Sequence, residues 1–154
     1  MHQLDRTDRR ILQEMQKNGA ISNLELADKV GLSASPCSRR VKALQDAGYI
    51  LNTVTLLDAK KLGLDLLAMI SISMDRHTPE RFSNFENTIA GFEEVQECFL
   101  ITGQSADYVL KVVVADMEAY QHFLLGKLTR IEGVTGVHSS FVMRKVIERN
   151  LLPI

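Results

Sequence analysis

A predicted helix in the first third of the chain carries side chains that could bind DNA. On a helical wheel of 3.6 residues per turn, Cys37, Val41 and Leu44 share one face and predict the buried side. Arginine can bind guanine bidentately in the major groove, and serine hydroxyls can pair with several base edges. Arg40 lies beside the buried face, which favours a phosphate contact or an internal ion pair for it. The candidate DNA contacts are Ser33, Ser35, Pro36, Ser38, Arg39, Arg40 and Lys42.

The elements that precede this helix decide between a DNA contact and a merely solvated helix face. Ser22 and Glu25 form a capping box that starts a second helix, and Gly31 ends it with a residue that tolerates a left-handed turn. Leu32-Ser33 then enters the third helix, with Ser33 or Ser35 as its cap. Helix, three-residue turn with glycine and helix is the spacing of a DNA-binding helix-turn-helix.

The rest of the N-terminal region completes a small domain over residues 1–57. Asp5 caps a first helix that ends at Asn18-Gly19. After Gly48, apolar residues at 50, 54 and 56 predict a short strand, which could form a wing or lead out of the domain. Residues 58–65 are the predicted linker.

Residues 66–154 have the pattern βαββαβ. Strands are predicted over 66–74, 95–101, 108–114 and 137–146. One helix begins at Thr78 and ends at Gly91, and the other runs from Asp116 to Gly133 with an apolar stripe that begins at Met117. The fold class is therefore α+β, with a (winged) helix-turn-helix followed by a ferredoxin-like domain.

Composition and cysteine usage favour a soluble, cytoplasmic protein, and the absence of catalytic motifs argues against an enzyme. The 154 residues are 45% hydrophobic and 24% charged, and no apolar run reaches the ~20 residues of a membrane span. Cys37 and Cys98 are far apart and predict packing roles, without a disulfide. His77 and His122 have no metal-ligand spacing, so surface positions are expected. We expect no metal, no cofactor and no membrane partner.

Several ordered motifs resemble the Lrp/AsnC, or "feast/famine", family of regulators. The resemblance covers essentially the whole chain and implies a helix-turn-helix that binds double-stranded DNA, a ferredoxin-like effector domain, and homodimers that assemble into octamers. The motifs are Leu4-Asp5, Asp8, Ile11-Leu12, Leu26-Ala27, Gly31-Leu32-Ser33, Pro36-Cys37, Arg40-Val41, Leu44, Gly48-Tyr49-Ile50, Leu62-Gly63, Thr102-Gly103, Asp107-Tyr108, Ser140-Phe141 and Leu152-Pro153.

The resemblance also implies an amino-acid effector, bound between subunits near the Gly103 loop. Asp107 could pair with the α-ammonium group, although a role as a turn residue capping the hairpin is the alternative. Family members usually show Gly-x-x-Asp-Tyr, and this chain has one extra residue between Gly103 and Asp107. The expected effector contacts are Thr102, Gly103, Gln104, Asp107, Tyr108, His138, Ser139 and Ser140.

A ferredoxin-like sheet leaves one face uncovered by its own helices. Apolar residues expected on that face favour symmetric dimerisation, which would also place two recognition helices on two half-sites. They are Leu67, Met69, Val109, Val113 and either Phe141 or Val142.

Two other function classes compete with an effector-modulated regulator. A small α/β enzyme, or its regulatory domain, would need a phosphate loop, a nucleophile elbow, a metalloprotease motif or paired acids, and none is present. An architectural DNA-compacting protein would bind DNA without an effector. A DNA-binding curve with and without amino acids separates the two DNA-binding hypotheses.

Overall fold

The computed structural model describes residues 3–103 and 105–154. The chain divides into two compact units. One ends at Leu56 and also includes Ile147–Ile154, and the other is Leu57–Val146. The sequence-based boundaries, in contrast, placed residues 147–154 with the C-terminal domain. In the structure these residues contact the first unit, because their backbone hydrogen-bonds to its first helix.

The first unit contains three helices, α1 (Arg6–Lys17), α2 (Asn23–Val30) and α3 (Ala34–Asp46). The Asp5 carboxylate accepts the Asp8 amide, and Asp8 bonds back to the Asp5 amide, so α1 begins with a capping box. The helices enclose a small core centred on Ile11, Cys37 and Leu44, each fully buried. Three short helices reach this packing because every apolar stripe faces the same centre.

The predicted strand after Gly48 does not form. Residues 51–58 have extended or irregular backbone with no strand assignment, and Leu51 and Val54 are largely exposed. Alternating apolar residues predict a strand only when a neighbouring strand can satisfy the backbone groups. Nothing within the described part of the first unit offers such a neighbour.

The second unit is a four-stranded antiparallel sheet with two helices. Its elements are β1 (Leu66–Met74), α4 (Pro79–Ile89), β2 (Val95–Leu100), β3 (Tyr108–Val114), α5 (Met117–Gly126) and β4 (Val134–Phe141), with 3₁₀ turns at Lys60–Leu62 and Leu128–Arg130. The strand order is β2-β3-β1-β4. With two α-helical crossovers, this is the ferredoxin-like arrangement that the sequence predicts.

The core of the second unit lies between the helices and one face of the sheet. Alternate residues of β1 and β3 are buried there, together with Phe85 of α4 and Phe123 of α5. On the opposite sheet face, Leu67, Met69, Val109 and Val113 are half-buried. This alternation is what a two-layer packing requires.

Three details differ from the sequence-based expectations. Helix α5 ends at Gly126 and a 3₁₀ turn follows, and Met117, expected on its buried stripe, is exposed. Strand β4 runs from Val134 to Phe141 and does not continue to Val146. Phe141 pairs with Ala68 and packs against Tyr120, so it faces the helices, whereas the Val142 amide bonds to Leu67.

Candidate functional site

The turn between α2 and α3 positions the DNA-reading helix. Ser22 and Glu25 form the expected capping box at the start of α2. Gly31 ends α2 with φ +72°, and the Leu32 amide donates to the Ala27 carbonyl at 2.9 Å. A non-glycine residue would be strained at this φ. Ser33 occupies the N-cap position of α3, although its side chain makes no capping hydrogen bond.

Helix α3 presents the polar face that the wheel predicts. Cys37 and Leu44 are fully buried, and burial raises the pKa of the Cys37 thiol. Pro36 is half-buried in the first turn. The exposed predicted side chains are Ser33, Ser35, Ser38, Arg39 and Lys42. Gln45 is also exposed, one turn beyond Lys42.

Arg40 departs from the other predicted DNA contacts. Its Nη1 donates to Asp5 Oδ2 and to Asp8 Oδ1, both at 2.7 Å. These two carboxylates raise the pKa of Arg40. The internal ion pair, one of the two roles expected for Arg40, is therefore present, and a phosphate contact by the same residue stays a prediction.

The loop between β2 and β3 carries the predicted effector contacts. Gly103 has φ +85°, and the Ile101 amide donates to the Asp107 carbonyl at 2.9 Å, which closes the loop. Thr102 is exposed. Gln104, also a predicted effector contact, lies outside the described residues.

The Asp107 side chain joins this loop to the end of β1. Its Oδ2 accepts the Met74 amide at 2.7 Å, and its Oδ1 lies 2.7 Å from His77 Nε2. Asp107 is half-buried, whereas His77 is exposed as expected. These partners lie about thirty residues away in the chain, so sequence spacing could not reveal them. The Asp107 carboxylate therefore caps the end of β1, which lies outside the β2–β3 hairpin that contains Asp107.

Tyr108 belongs to the core and not to an open loop site. Its ring is buried against Phe82 and Phe85, and its hydroxyl donates to Glu86 Oε1 at 2.7 Å. Burial, followed by the nearby Glu86 carboxylate, raises its pKa. Only 1% of Tyr108 is exposed, which leaves little side-chain surface for an effector, and the expected effector contact at Tyr108 stays a prediction.

The β4 candidates divide between the two faces of the sheet. Ser140 pairs with Met69 and His138 with Ser71, which places both on the face opposite the helices. Ser139 pairs with Ile70 and its hydroxyl contacts the Tyr120 hydroxyl on the helix side. Since β1 separates β4 from β3, one chain does not gather these serines around Asp107.

Two further expectations concern cysteine and metal chemistry. Cys98 is exposed on the edge strand β2, so the expectation of a packed residue was wrong there. Across the described part of the chain, no three His, Cys, Asp or Glu side chains group as metal ligands. In the same residues, no helix has the length and apolarity to cross a membrane.

Comparison with known proteins assigns both units. A winged helix-turn-helix DNA-binding family model matches residues 4–50, and the Lrp/AsnC ligand-binding domain matches residues 67–152. The leucine-responsive regulatory proteins of Klebsiella pneumoniae and Escherichia coli K12 are each 42% identical to this chain over 151 residues. The match covers 98% of this chain and 92% of each relative.

Solved structures agree with this assignment. A Neisseria meningitidis transcriptional regulator, solved as an L-Met complex, is 39% identical with a TM-score of 0.93, over 98% of this chain and 97% of that one. An AsnC family regulator from Agrobacterium tumefaciens is 35% identical with a TM-score of 0.91, over 97% of both chains. The DNA-binding model matches the first unit, the ligand-binding model matches the second, and the relatives match along nearly the whole chain. This protein therefore belongs to the Lrp/AsnC family of transcriptional regulators.

Proposed function

We propose that this protein is a sequence-specific transcriptional regulator of amino-acid-related metabolism, and that it acts on cytoplasmic DNA without catalysing a reaction. The observation that carries this proposal is the exposure of Arg39 and Lys42 on the outward face of α3. This helix follows a capped helix, α2, and a turn at Gly31, as in a helix-turn-helix. A recognition helix of this kind enters the major groove with its first turns. Arg39 reads a base and Lys42 contacts a phosphate.

We further propose that an amino acid is the effector. The second unit matches a ligand-binding family model, and one structural relative was solved with L-Met. A zwitterion needs a carboxylate acceptor and an array of donors. Asp107 supplies the acceptor, because a carboxylate has about four lone-pair positions and Met74 and His77 occupy only two. Backbone amides near Gly103 supply donors.

The proposed effector site is shared between subunits. Ser140 and His138 lie on the sheet face opposite the helices, and one chain does not bring them to Asp107. The half-buried apolar residues of the same face favour its burial against a second copy. A homodimer, with octamers built from dimers, would complete the site and present paired recognition helices to DNA.

The test begins with thermal stabilisation by each of the twenty amino acids, because a ligand of the native state raises apparent stability. The amino acid that stabilises most is then titrated into protein bound to operator DNA, and a shift in DNA affinity is expected. DNA binding that is indifferent to every amino acid would instead favour an architectural DNA-compacting role.

The site is tested with Asp107→Asn and, as a matched control, the exposed Glu93→Gln in the same unit. Calorimetry should show at least tenfold weaker effector binding for Asp107→Asn, because the charge-assisted bond to the ammonium is lost. DNA affinity without effector should stay nearly unchanged. Wild-type effector affinity in Asp107→Asn would remove this carboxylate from the site.

A further inference from the structure

The segment Ile147–Ile154 belongs to the same compact unit as the DNA-binding helices, and two of its residues, Leu152 and Ile154, hydrogen-bond to α1. Gln16 Nε2 donates to the Leu152 carbonyl at 3.2 Å, and Gln16 Oε1 accepts the Leu152 amide at 2.6 Å. Gln13 Nε2 donates to the backbone oxygen of Ile154. Two side-chain amides on one helix therefore hydrogen-bond to the backbone of a segment that has no regular secondary structure.

This surface recognises backbone and not side chains. Gln13 and Gln16 are three residues apart, so they lie on the same face of α1. A primary amide both donates and accepts, and one glutamine can thus satisfy the N–H and C=O of one residue as a neighbouring strand would. The Leu152 and Ile154 side chains are 70% and 41% exposed, so their burial contributes little to the contact.

The chain crosses between the two units twice. Residues up to Val146 belong to the ligand-binding unit, so the backbone connects the units at 146–147 as well as at 56–57. We propose that the Gln13–Gln16 face is a docking surface for this chain's own residues 152–154. Docking gives the DNA-binding unit a second attachment to the rest of the protein, besides the connection at 56–57. This attachment limits the motion of the DNA-binding unit before DNA is bound.

Docking of residues 152–154 restrains α1, the helix whose carboxylates bind the recognition helix α3. Asp5, the N-cap of α1, and Asp8 within α1 both bind Arg40 of α3. A restraint on α1 is therefore a restraint on α3. The docking hydrogen bonds are solvent-exposed, and such contacts leave the docked and released forms close in free energy. Release of residues 152–154 would increase the conformational freedom of the DNA-binding unit. The unit would lose this freedom again on binding DNA, and that entropy cost weakens DNA affinity.

The test uses the full chain and two ways of releasing the tail. Gln16→Ala removes the paired amide, and a chain that stops after Asn150 removes the occupant. Lys17→Ala is the control, because Lys17 lies on the same helix and pairs with Glu14. Hydrogen exchange read by mass spectrometry should show faster exchange at residues 151–154 in Gln16→Ala, with wild-type exchange in Lys17→Ala.

DNA binding supplies the functional readout. Gln16→Ala removes two exposed hydrogen bonds and the shortened chain removes three, so each should bind specific DNA about fivefold more weakly. The two changes combined should bind no more weakly than either alone, because both break the same contact. Multiplicative losses, unchanged affinity, or unchanged exchange at residues 151–154 would each overturn the proposal. If the wild-type chain bound no DNA, the proposed function would fail, whereas the exchange comparison would still decide whether the tail docks.

Discussion

Arg40 of the recognition helix donates from Nη1 to Oδ1 of Asp8 on α1, across 2.7 Å. The Asp8 side chain is only 2% exposed, and a buried carboxylate requires hydrogen-bond partners to offset its desolvation. Nη1 also reaches Asp5, whose pKa is lowered first by the Asp8 amide and then by Arg40. The pair fixes α3 against α1 by charge as well as by packing.

Arg40→Ala should therefore reduce stability more than it changes base recognition. Removing the guanidinium takes a charged hydrogen-bond donor away from the buried Asp8 carboxylate, which costs about 1–3 kcal/mol. Urea unfolding measures the loss. Arg39→Ala is the control, because an exposed side chain should change stability by less than about 0.5 kcal/mol. Equal stability of the two variants would contradict the structural role of Arg40.

Arg39→Ala should weaken specific DNA binding in a sequence-dependent way. Loss of a bidentate base contact costs about 1–3 kcal/mol and relaxes preference at one base pair. Binding to a panel of operator variants measures this. A uniform loss on every sequence would show that Arg39 contacts the DNA backbone only.

Lys42→Ala should weaken specific and non-specific DNA binding alike. One phosphate contact fewer releases one counterion fewer, so the slope of log affinity against log salt should fall by about one. Titrations at several salt concentrations measure the slope. An unchanged slope, together with unchanged affinity, would exclude Lys42 from the interface.

Gly133→Ala should destabilise the ligand-binding unit by about 2–3 kcal/mol, from a strained positive φ and a steric clash. Gly133 has φ +94°, and an added Cβ would lie 2.5 Å from Arg81 Cδ and 2.9 Å from Asp75 Oδ1. Arg81 would have to leave its ion pairs with Asp75 and Glu132.

Gly126→Ala provides the matched control for Gly133→Ala. Gly126 is the last residue of α5, and an added Cβ there would meet no atom within 4 Å. Alanine in a helix should be neutral or slightly stabilising. Thermal unfolding of both variants tests the argument, and similar melting temperatures would contradict it.

The isolated ligand-binding unit, residues 57–146, should dimerise. The half-buried Leu67, Met69, Val109 and Val113 form an apolar sheet face opposite the helices, and such faces need a partner. The segment stops at Val146 because the following residues contact the other unit. Sedimentation should give a dimer at micromolar concentration, and a monomer would count against this interface.

Local signals were enough to predict most elements of the fold. Capping side chains at Asp5, Ser22, Thr78 and Asp116 all bond to the amides that their sequence spacing indicates. Capping acts over three residues and is therefore visible in sequence. Strand β4 was less predictable, because Gly136 interrupts its apolar pattern and strand ends depend on the neighbouring strand.

Long-range polar contacts could not be predicted in the same way. No local pattern marks Asp8 as buried, because its partner Arg40 lies thirty-two residues later. Residues 152–154 dock through backbone groups, which every residue type carries, so no side-chain pattern marks them. For the candidate site, the loop position of Asp107 was predictable, whereas its His77 and Met74 partners were not.

The contrast between the two cysteines makes the native chain suitable for single-site labelling. Cys37 is fully buried in the helical core, so reagents do not reach its thiol. Cys98 is exposed on β2. A maleimide dye added to the unmodified protein would mark only the ligand-binding unit. Fluorescence from that one position could then follow subunit assembly without any engineered residue.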